Sequence, residues 1–221
     1  MDRYNTMGNL SNLLENNRQW ASDKIAQRND FFKRLENIQS PKYLWIGCSD
    51  SRVPANEIVA LDPGELFVHR NVANVVVHTD LNCLSVIQYA VEVLRVEHIM
   101  VVGHYGCGGV RAALQNMRLG LIDNWLRHIQ DVNHKYRAIV ESAGDLDKQV
   151  DKLCELNVVE QTLNVAETTI IQDAWARKQS LQVHGWVYGL KDGIIRDLKI
   201  TMDSPDDMTG IYQRAVSSLK I

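Results

Sequence analysis

The chain has 221 residues, of which 45% are hydrophobic and 23% charged, so it can bury one core of ordinary size and is not a disordered protein. A formal net charge of −3, with no run of Lys or Arg, excludes the basic surface that nucleic acid requires. No apolar run approaches the roughly 20 residues that span a bilayer, and the first residues lack the apolar stretch of a signal peptide. We therefore expect a cytoplasmic protein without a membrane or nucleic-acid partner, and its four cysteines should stay reduced.

Residues 9–38 predict a helical arm, because Leu, Ile, Trp and Phe recur there at broadly helical spacing. A break is predicted near Asn29 and Asp30, and Pro41 ends the segment. The arm is rich in polar residues and precedes the first strand. We therefore expect residues 1–40 to pack on a partner subunit as readily as on their own chain.

After the arm, short apolar strands alternate with helices. Strands are predicted over residues 43–46, 65–70, 98–102, 181–188 and 194–200. Helices are predicted after Thr79, from Gly108, over residues 122–139, from 146 to 178 with a restart at Asn157, and after Ser204. This order predicts an α/β fold with a mainly parallel central sheet, an antiparallel edge strand and helices packed around it. Since no repeat or linker interrupts it, we expect a single domain over residues 1–221.

Metal-binding residue types follow two of the predicted strands. Cys48 and Asp50 come after the first strand, and His104 and Cys107 after the third. Ligands of open α/β sheets bind at the carboxyl ends of strands, so these clusters meet if the two strands are neighbours. Two thiolates, one imidazole and one carboxylate suit a tetrahedral Zn²⁺. The sequence therefore predicts one zinc ion per chain.

Asp50 has two predicted partners. On zinc it fills the fourth position, which a catalytic zinc must keep open for water. Paired with Arg52 it leaves that position open and can accept a hydrogen bond from zinc-bound hydroxide. A merely structural ion pair with Arg52 is the alternative. Beside the site, Gly108 and Gly109 remove side-chain bulk and offer backbone N–H groups to a small anion.

The motifs C-x-D-x-R, from Cys48 to Arg52, and H-x-x-C-G-G, from His104 to Gly109, resemble those of the beta-class carbonic anhydrases. The similarity also runs through residues 64–74 and 184–186, and covers roughly residues 40–200. It implies a zinc enzyme that reversibly hydrates CO₂ to bicarbonate and a proton by zinc-hydroxide attack. It also implies homodimers, often paired into homotetramers, whose N-terminal helices embrace the partner.

The chain is similar in particular to the bicarbonate-inhibited, allosteric (type II) subgroup of that family. This resemblance implies that Trp45, Arg70 and Tyr188 line a non-catalytic bicarbonate pocket, and that Asp50 ligates zinc in the inactive state. It also implies that Val53 shifts when bicarbonate binds and separates Asp50 from its arginine. A guanidinium is suited to clamp a planar anion. Without the resemblance, the tryptophan and the tyrosine are as readily packing residues.

Other functions stay open at this point. One is a zinc hydrolase of another small electrophile such as CS₂, and another is a non-enzymatic, zinc-stabilised bicarbonate sensor with Asp50 always on the metal. A thiol phosphatase is excluded, because its C-x₅-R motif would need Arg where the chain has Pro54. Residues 103–109 fit neither nucleotide-binding glycine pattern. Cys83 and Cys154 are interpreted as buried structural cysteines.

Overall fold

The computed structural model describes residues 10–37, 40–50, 52 and 54–220. The chain divides between Gln39 and Ser40 into two compact units. The first unit contains two helices, α1 (Leu10–Gln27) and α2 (Phe31–Asn37), so the break predicted near Asn29 and Asp30 is present. Trp20 of α1 contacts the rings of both phenylalanines that begin α2, at centroid distances of 6.4 and 5.5 Å. These edge-on aromatic contacts hold the two helices together.

The second unit is built on a five-stranded sheet. Its strands are β1 (Tyr43–Cys48), β2 (Leu66–Asn71), β3 (His98–His104), β4 (Gln182–Tyr188) and β5 (Ile195–Met202). Their order is β2-β1-β3-β4-β5, with every neighbouring pair parallel except β4 and β5. The α/β fold with an antiparallel edge strand is thereby confirmed.

Eight helices surround this sheet within the described part of the chain. They are α3 (Ala55–Val59), α4 (Leu81–Gln88), α5 (Gly108–Leu114), α6 (Ile122–Lys135), α7 (Arg137–Ser142), α8 (Leu146–Ala166), α9 (Thr169–Ala176) and α10 (Met208–Ser218). A 3₁₀ turn (Val72–Asn74) follows β2, and a π-helical turn (Tyr89–Val93) continues α4. In the same described residues, no helix has both the length and the apolar character that a membrane span needs.

Several helix starts differ from the sequence prediction, and the single helix predicted over residues 122–139 is divided at Tyr136 into α6 and α7. Asn157 does not begin a helix but lies buried inside α8, where its amide donates to Ala73 O. The actual restart is at Thr168, whose side chain caps α9. Asp80, not Thr79, caps α4, and α10 begins at Met208, later than Ser204 predicted. A polar residue in a helical pattern can bind a neighbouring element as well as its own helix end, and the pattern alone does not separate these roles.

The sheet buries both of its faces. All of β1 and β3 is buried apart from the first residue of each, as expected for central parallel strands. Leu44 and Ile46 belong to the larger apolar cluster, over which α8 packs on β3 and β4. Trp45 points to the other face, where it packs in a smaller cluster with Met100 and Tyr188.

The packing of Trp45 depends on the glycine two residues later. A Cβ atom added to Gly47 would lie 2.3 Å from Trp45 Nε1, and a rigid indole cannot yield that space without leaving its buried position. We expect Gly47→Ala to lower the free energy of unfolding by about 1–3 kcal/mol, measured by urea denaturation at fixed protein concentration. Gly108→Ala is the control, since its Cβ would meet no atom within 4 Å. Equal midpoints for the two variants would contradict this packing.

Candidate metal centre

The strand order creates the crevice in which the site lies. From β1 the chain moves to β2 on one side and then crosses to β3 on the other. Such a switch point leaves a cleft at the carboxyl ends of the two diverging strands. Cys48 is the last residue of β1 and His104 the last of β3, while Cys107 immediately precedes α5. The two motifs therefore meet, as their positions after the first and third predicted strands required.

The three side chains form a compact, buried set. The sulfur atoms of Cys48 and Cys107 are 3.9 Å apart, and the ligand atoms of Cys48, His104 and Cys107 all lie within 4.8 Å of one another. His104 Nδ1 lies 3.1 Å from Tyr105 O, a contact that places the proton on Nδ1 and leaves the Nε2 lone pair free. Nε2 is buried and has no hydrogen-bond partner among the described residues. A buried, unpaired nitrogen beside two sulfurs fits Zn²⁺.

The two thiols have unequal proton affinities. The hydrogen bond from the Cys107 thiol lowers the pKa of Cys48 to about 4, helped by contacts from His104 and from two backbone groups, although burial opposes the shift. The same hydrogen bond, together with burial, raises the pKa of Cys107. The shared hydrogen bond therefore favours the thiolate form of Cys48 and the thiol form of Cys107. A cation that binds both sulfurs as thiolates would displace the thiol proton, so metal binding should depend on pH.

Asp50 lies beside this set and is paired with Arg52. Its Oδ1 accepts from Arg52 Nε at 2.9 Å and from Arg52 N at 3.0 Å, and its Oδ2 accepts from Nη2 at 2.6 Å. These bonds hold the pKa of Asp50 well below its usual range, so the carboxylate is ionised. Oδ2 is 3.8 Å from His104 Nε2, but Asp50 is outside the group whose ligand atoms lie within 4.8 Å of one another. In this arrangement Asp50 is paired with Arg52, and the ligand set consists of Cys48, His104 and Cys107.

Arg70 supports the segment that carries Asp50. Its Nε donates to Cys48 O at 2.7 Å, and its Nη2 donates to Asp50 O. Tyr188 is 4% exposed, with its ring 5.7 Å from that of His104. Burial is the main cause that raises the pKa of Tyr188, and the charge of Arg70 opposes that rise.

Trp45 shares the smaller apolar cluster with Tyr188. Of the three residues assigned to a bicarbonate pocket, Arg70 and Tyr188 lie at the carboxyl ends of β2 and β4, whereas Trp45 lies in the middle of β1. Val53 lies outside the described residues.

The two glycines assigned to the substrate pocket have different surroundings. A Cβ on Gly108 would meet no atom within 4 Å, so this position borders open space. A Cβ on Gly109 would lie 3.0 Å from a methyl group of Val72 and 3.3 Å from the Ala73 side chain. Gly109 therefore allows α5 to approach the turn after β2.

Ala73 contributes to the site without any signal in its own residue type. Its backbone N–H donates to Cys48 Sγ at 3.3 Å, and its φ of 64° lies in the left-handed region that favours glycine. Nothing in the chemistry of alanine predicts this contact. The nearest signal was the similarity over residues 64–74, in which Ala73 itself had no assigned role.

A second group of ligand-type side chains is explained by structure. His69, Asp80 and Cys83 also have ligand atoms within 4.8 Å of one another. Asp80 caps α4, His69 Nε2 lies 3.3 Å from the side-chain amide of Asn71, and burial raises the pKa of Cys83 to about 12. Each member thus has a packing or capping role, in contrast to the unpaired nitrogen of His104.

Comparison with known proteins extends this picture. A family model described as carbonic anhydrase matches residues 43–195. A carbonic anhydrase of Emericella nidulans is 49% identical over 188 residues, which cover 85% of this chain and 82% of that protein. One of Candida albicans is 36% identical over 92% of this chain and 73% of that protein.

Solved structures agree with the sequence relatives. A Coccomyxa beta-carbonic anhydrase in complex with acetazolamide superposes with a TM-score of 0.87 at 37% identity, over 97% of this chain and 100% of that chain. A tetrameric beta-carbonic anhydrase of Sordaria macrospora gives 0.84 at 37% identity, over 87% and 98% of the two chains. The family match includes all three ligand residues at the switch point, and the chain belongs to the beta-class carbonic anhydrases.

Proposed function

We propose that this protein catalyses the reversible hydration of CO₂ to bicarbonate and a proton, with one zinc ion held by Cys48, His104 and Cys107. The observation that carries the proposal is the buried set of three ligand atoms within 4.8 Å of one another, with His104 Nε2 unpaired. When bound, the ion supplies a Lewis acid that lets water ionise near neutral pH. Family membership supports the same chemistry.

Asp50 and Arg52 orient the attacking water. Arg52 keeps Asp50 ionised, and an ionised carboxylate only accepts hydrogen bonds. An oxygen of Asp50, which lies 3.8 Å from His104 Nε2, can therefore accept a hydrogen bond from a water molecule beside the three ligand residues and would turn the lone pair of that water towards CO₂. The open space beside Gly108 suits a molecule of three atoms.

The same carboxylate provides an off state. Asp50 is near enough to the ligand set that a rotation away from Arg52 brings it to the fourth position, where it replaces the water. Its ion pair with Arg52 can be exchanged, because the Arg52 side chain is 55% exposed and water can replace the carboxylate as its partner when Asp50 turns away. We propose that Asp50 switches between these two partners.

Bicarbonate favours the off state through Arg70. In the structure the guanidinium of Arg70 donates hydrogen bonds to two carbonyl groups, Cys48 O and Asp50 O. An anion bound between Trp45, Arg70 and Tyr188 competes for those donors and so releases the segment that carries Asp50. This competition couples the proposed bicarbonate pocket to the switch, with Val53 next to the segment that moves.

The assembly we propose is a homodimer that pairs into a tetramer, with the helical arm of the single domain packed on the partner. Leu10, Leu13 and Leu14 of α1 are 74%, 61% and 61% exposed, which favours a partner surface for this helix. A related structure is tetrameric. A monomer in sedimentation experiments would contradict this assembly.

The four free cysteines support a location in the cytoplasm.

Metal removal tests the centre itself. We expect one zinc per chain by elemental analysis, and loss of CO₂ hydration after dialysis against a chelator, with recovery when Zn²⁺ is added. Cys107→Ser should weaken zinc binding by more than about 100-fold, because it removes a ligand directly. Cys83→Ser is the matched control, since Cys83 is buried but outside this set. Zinc held equally tightly by both variants would contradict the site.

Asp50→Asn tests the switch. The amide keeps the shape but loses the charge that Arg52 binds, so stopped-flow CO₂ hydration should fall about 100-fold while zinc stays bound. The unchanged protein should be slow near neutrality and rise cooperatively in mildly alkaline buffer, where hydroxide competes better with the carboxylate, and the variant should lose that rise. Asp207→Asn removes a surface ion pair with Arg214 and should behave as the unchanged protein. A protein without turnover at any pH would instead be a bicarbonate sensor.

The bicarbonate pocket is tested by two variants with different side effects. Arg70→Ala removes the proposed anion clamp but also two backbone supports, whereas Tyr188→Phe removes only a hydroxyl group. Each should weaken bicarbonate inhibition about 10-fold or more while zinc stays bound, since a hydrogen bond to a charged group contributes about 1.5–3 kcal/mol. Tyr89→Phe, on an exposed ring, is the control. Unchanged inhibition in both would remove this pocket from the mechanism.

A further inference from the structure

The backbone between Val72 and Val76, here called the β2 turn, is held by side-chain groups from several elements. Ala73 and Asn74 both have left-handed φ values, of 64° and 48°, which non-glycine residues adopt at a cost. Such a conformation persists only where the surroundings impose it. Asn71 accepts from Val75 N at 2.8 Å and donates to Val75 O at 2.7 Å, and Trp125 donates to Val72 O at 2.9 Å. Three further bonds come from α8. Asn157 donates to Ala73 O at 2.9 Å, Gln161 accepts from Val76 N at 2.8 Å, and Asn164 donates to Val76 O at 3.0 Å.

The bonds from α8 form a connected pair of buried amides. Asn157 and Gln161 are 1% and 2% exposed, one helical turn apart, and Gln161 Nε2 donates to Asn157 Oδ1 at 3.0 Å. The other polar atom of each amide binds the β2 turn: Asn157 Nδ2 donates to Ala73 O, and Gln161 Oε1 accepts from Val76 N and also from Asn164 Nδ2. Two buried amides in a helix core are costly unless they are satisfied, and here their partners are the backbone groups of that turn.

The β2 turn in turn reaches the metal centre. The N–H of Ala73 is 3.3 Å from Cys48 Sγ, and the carbonyl of the same residue is the one that Asn157 binds. A hydrogen bond to a metal-bound thiolate draws electron density from the sulfur and weakens its donation to the ion. Two thiolates and a neutral imidazole leave the formal charge of a Zn²⁺ site at zero, so any reduction in sulfur donation raises the acidity of water at the open position.

We propose that Asn157 and Gln161 are positioning residues for the metal centre: they hold the β2 turn so that Ala73 N–H donates to Cys48 Sγ, and so set how strongly that sulfur donates to the ion. The inference rests on the proposed metal centre. It adds to the residues of the two motifs a pair from α8, of which Asn157 is 84 residues away from Ala73 in the chain.

The test uses the full chain loaded with Co²⁺. Cobalt bound by thiolate sulfur shows a sulfur-to-metal charge-transfer band in its absorption spectrum. Asn157→Leu removes both amide contacts at similar volume, and Gln161→Met does so with an unbranched side chain that is easier to accommodate. In each we expect the band to move to longer wavelength, because a sulfur without its hydrogen bond releases charge more easily.

Thr162→Val is the matched control. Thr162 is fully buried in the same helix and donates to Val158 O, one turn earlier, so its loss destabilises α8 without touching the β2 turn. Its cobalt spectrum should match that of the unchanged protein. A band that stays in place in both amide variants, or that moves equally in Thr162→Val, overturns the proposal while the metal centre stands. Failure of the unchanged protein to bind Co²⁺ or Zn²⁺ overturns the metal centre and this inference together.

Discussion

The closeness of two buried sulfurs and an imidazole nitrogen is the constraint on which the structure depends. Three ligand atoms lie within 4.8 Å of one another, each on a buried residue, and the nitrogen has no hydrogen-bond partner among the described residues. A cation would satisfy all three atoms at once. The strand order that brings β1 beside β3 is what makes this set possible.

In the function that we propose, the segment that follows β1 connects catalysis with regulation. It begins after Cys48, the last residue of β1, and carries Asp50, and two arginines bind it. Arg52 binds the carboxylate, while Arg70 binds the backbone on either side of it. Because one arginine binds the carboxylate and the other binds the backbone, our proposal lets an anion move the carboxylate without touching it. On that proposal, regulation by bicarbonate needs no second domain.

Much of the fold was predictable, because its signals are local. All five strands were predicted near their observed positions, since apolar runs bounded by turn residues are typical of buried strands. Helix starts were less predictable. Asn157 has the composition of a helix cap, yet in the structure its amide binds a carbonyl 84 residues away. The local sequence does not reveal that partner, so the predicted helix start at Asn157 was wrong. The next helix, α9, is capped by Thr168.

The sequence by itself determined the α/β class, the zinc-type ligand set and the beta-class carbonic anhydrase family, because these follow from periodicity and from residue types at a characteristic spacing. Only the tertiary structure decided which groups surround the ligands. The pairing of Asp50 with Arg52 rather than with the ligand set, the support of Arg70, and the backbone N–H of Ala73 on Cys48 all depend on packing. A backbone donor has no residue type, and a hydrogen-bond partner distant in the chain leaves no local pattern. Such contacts exist only once the chain has folded.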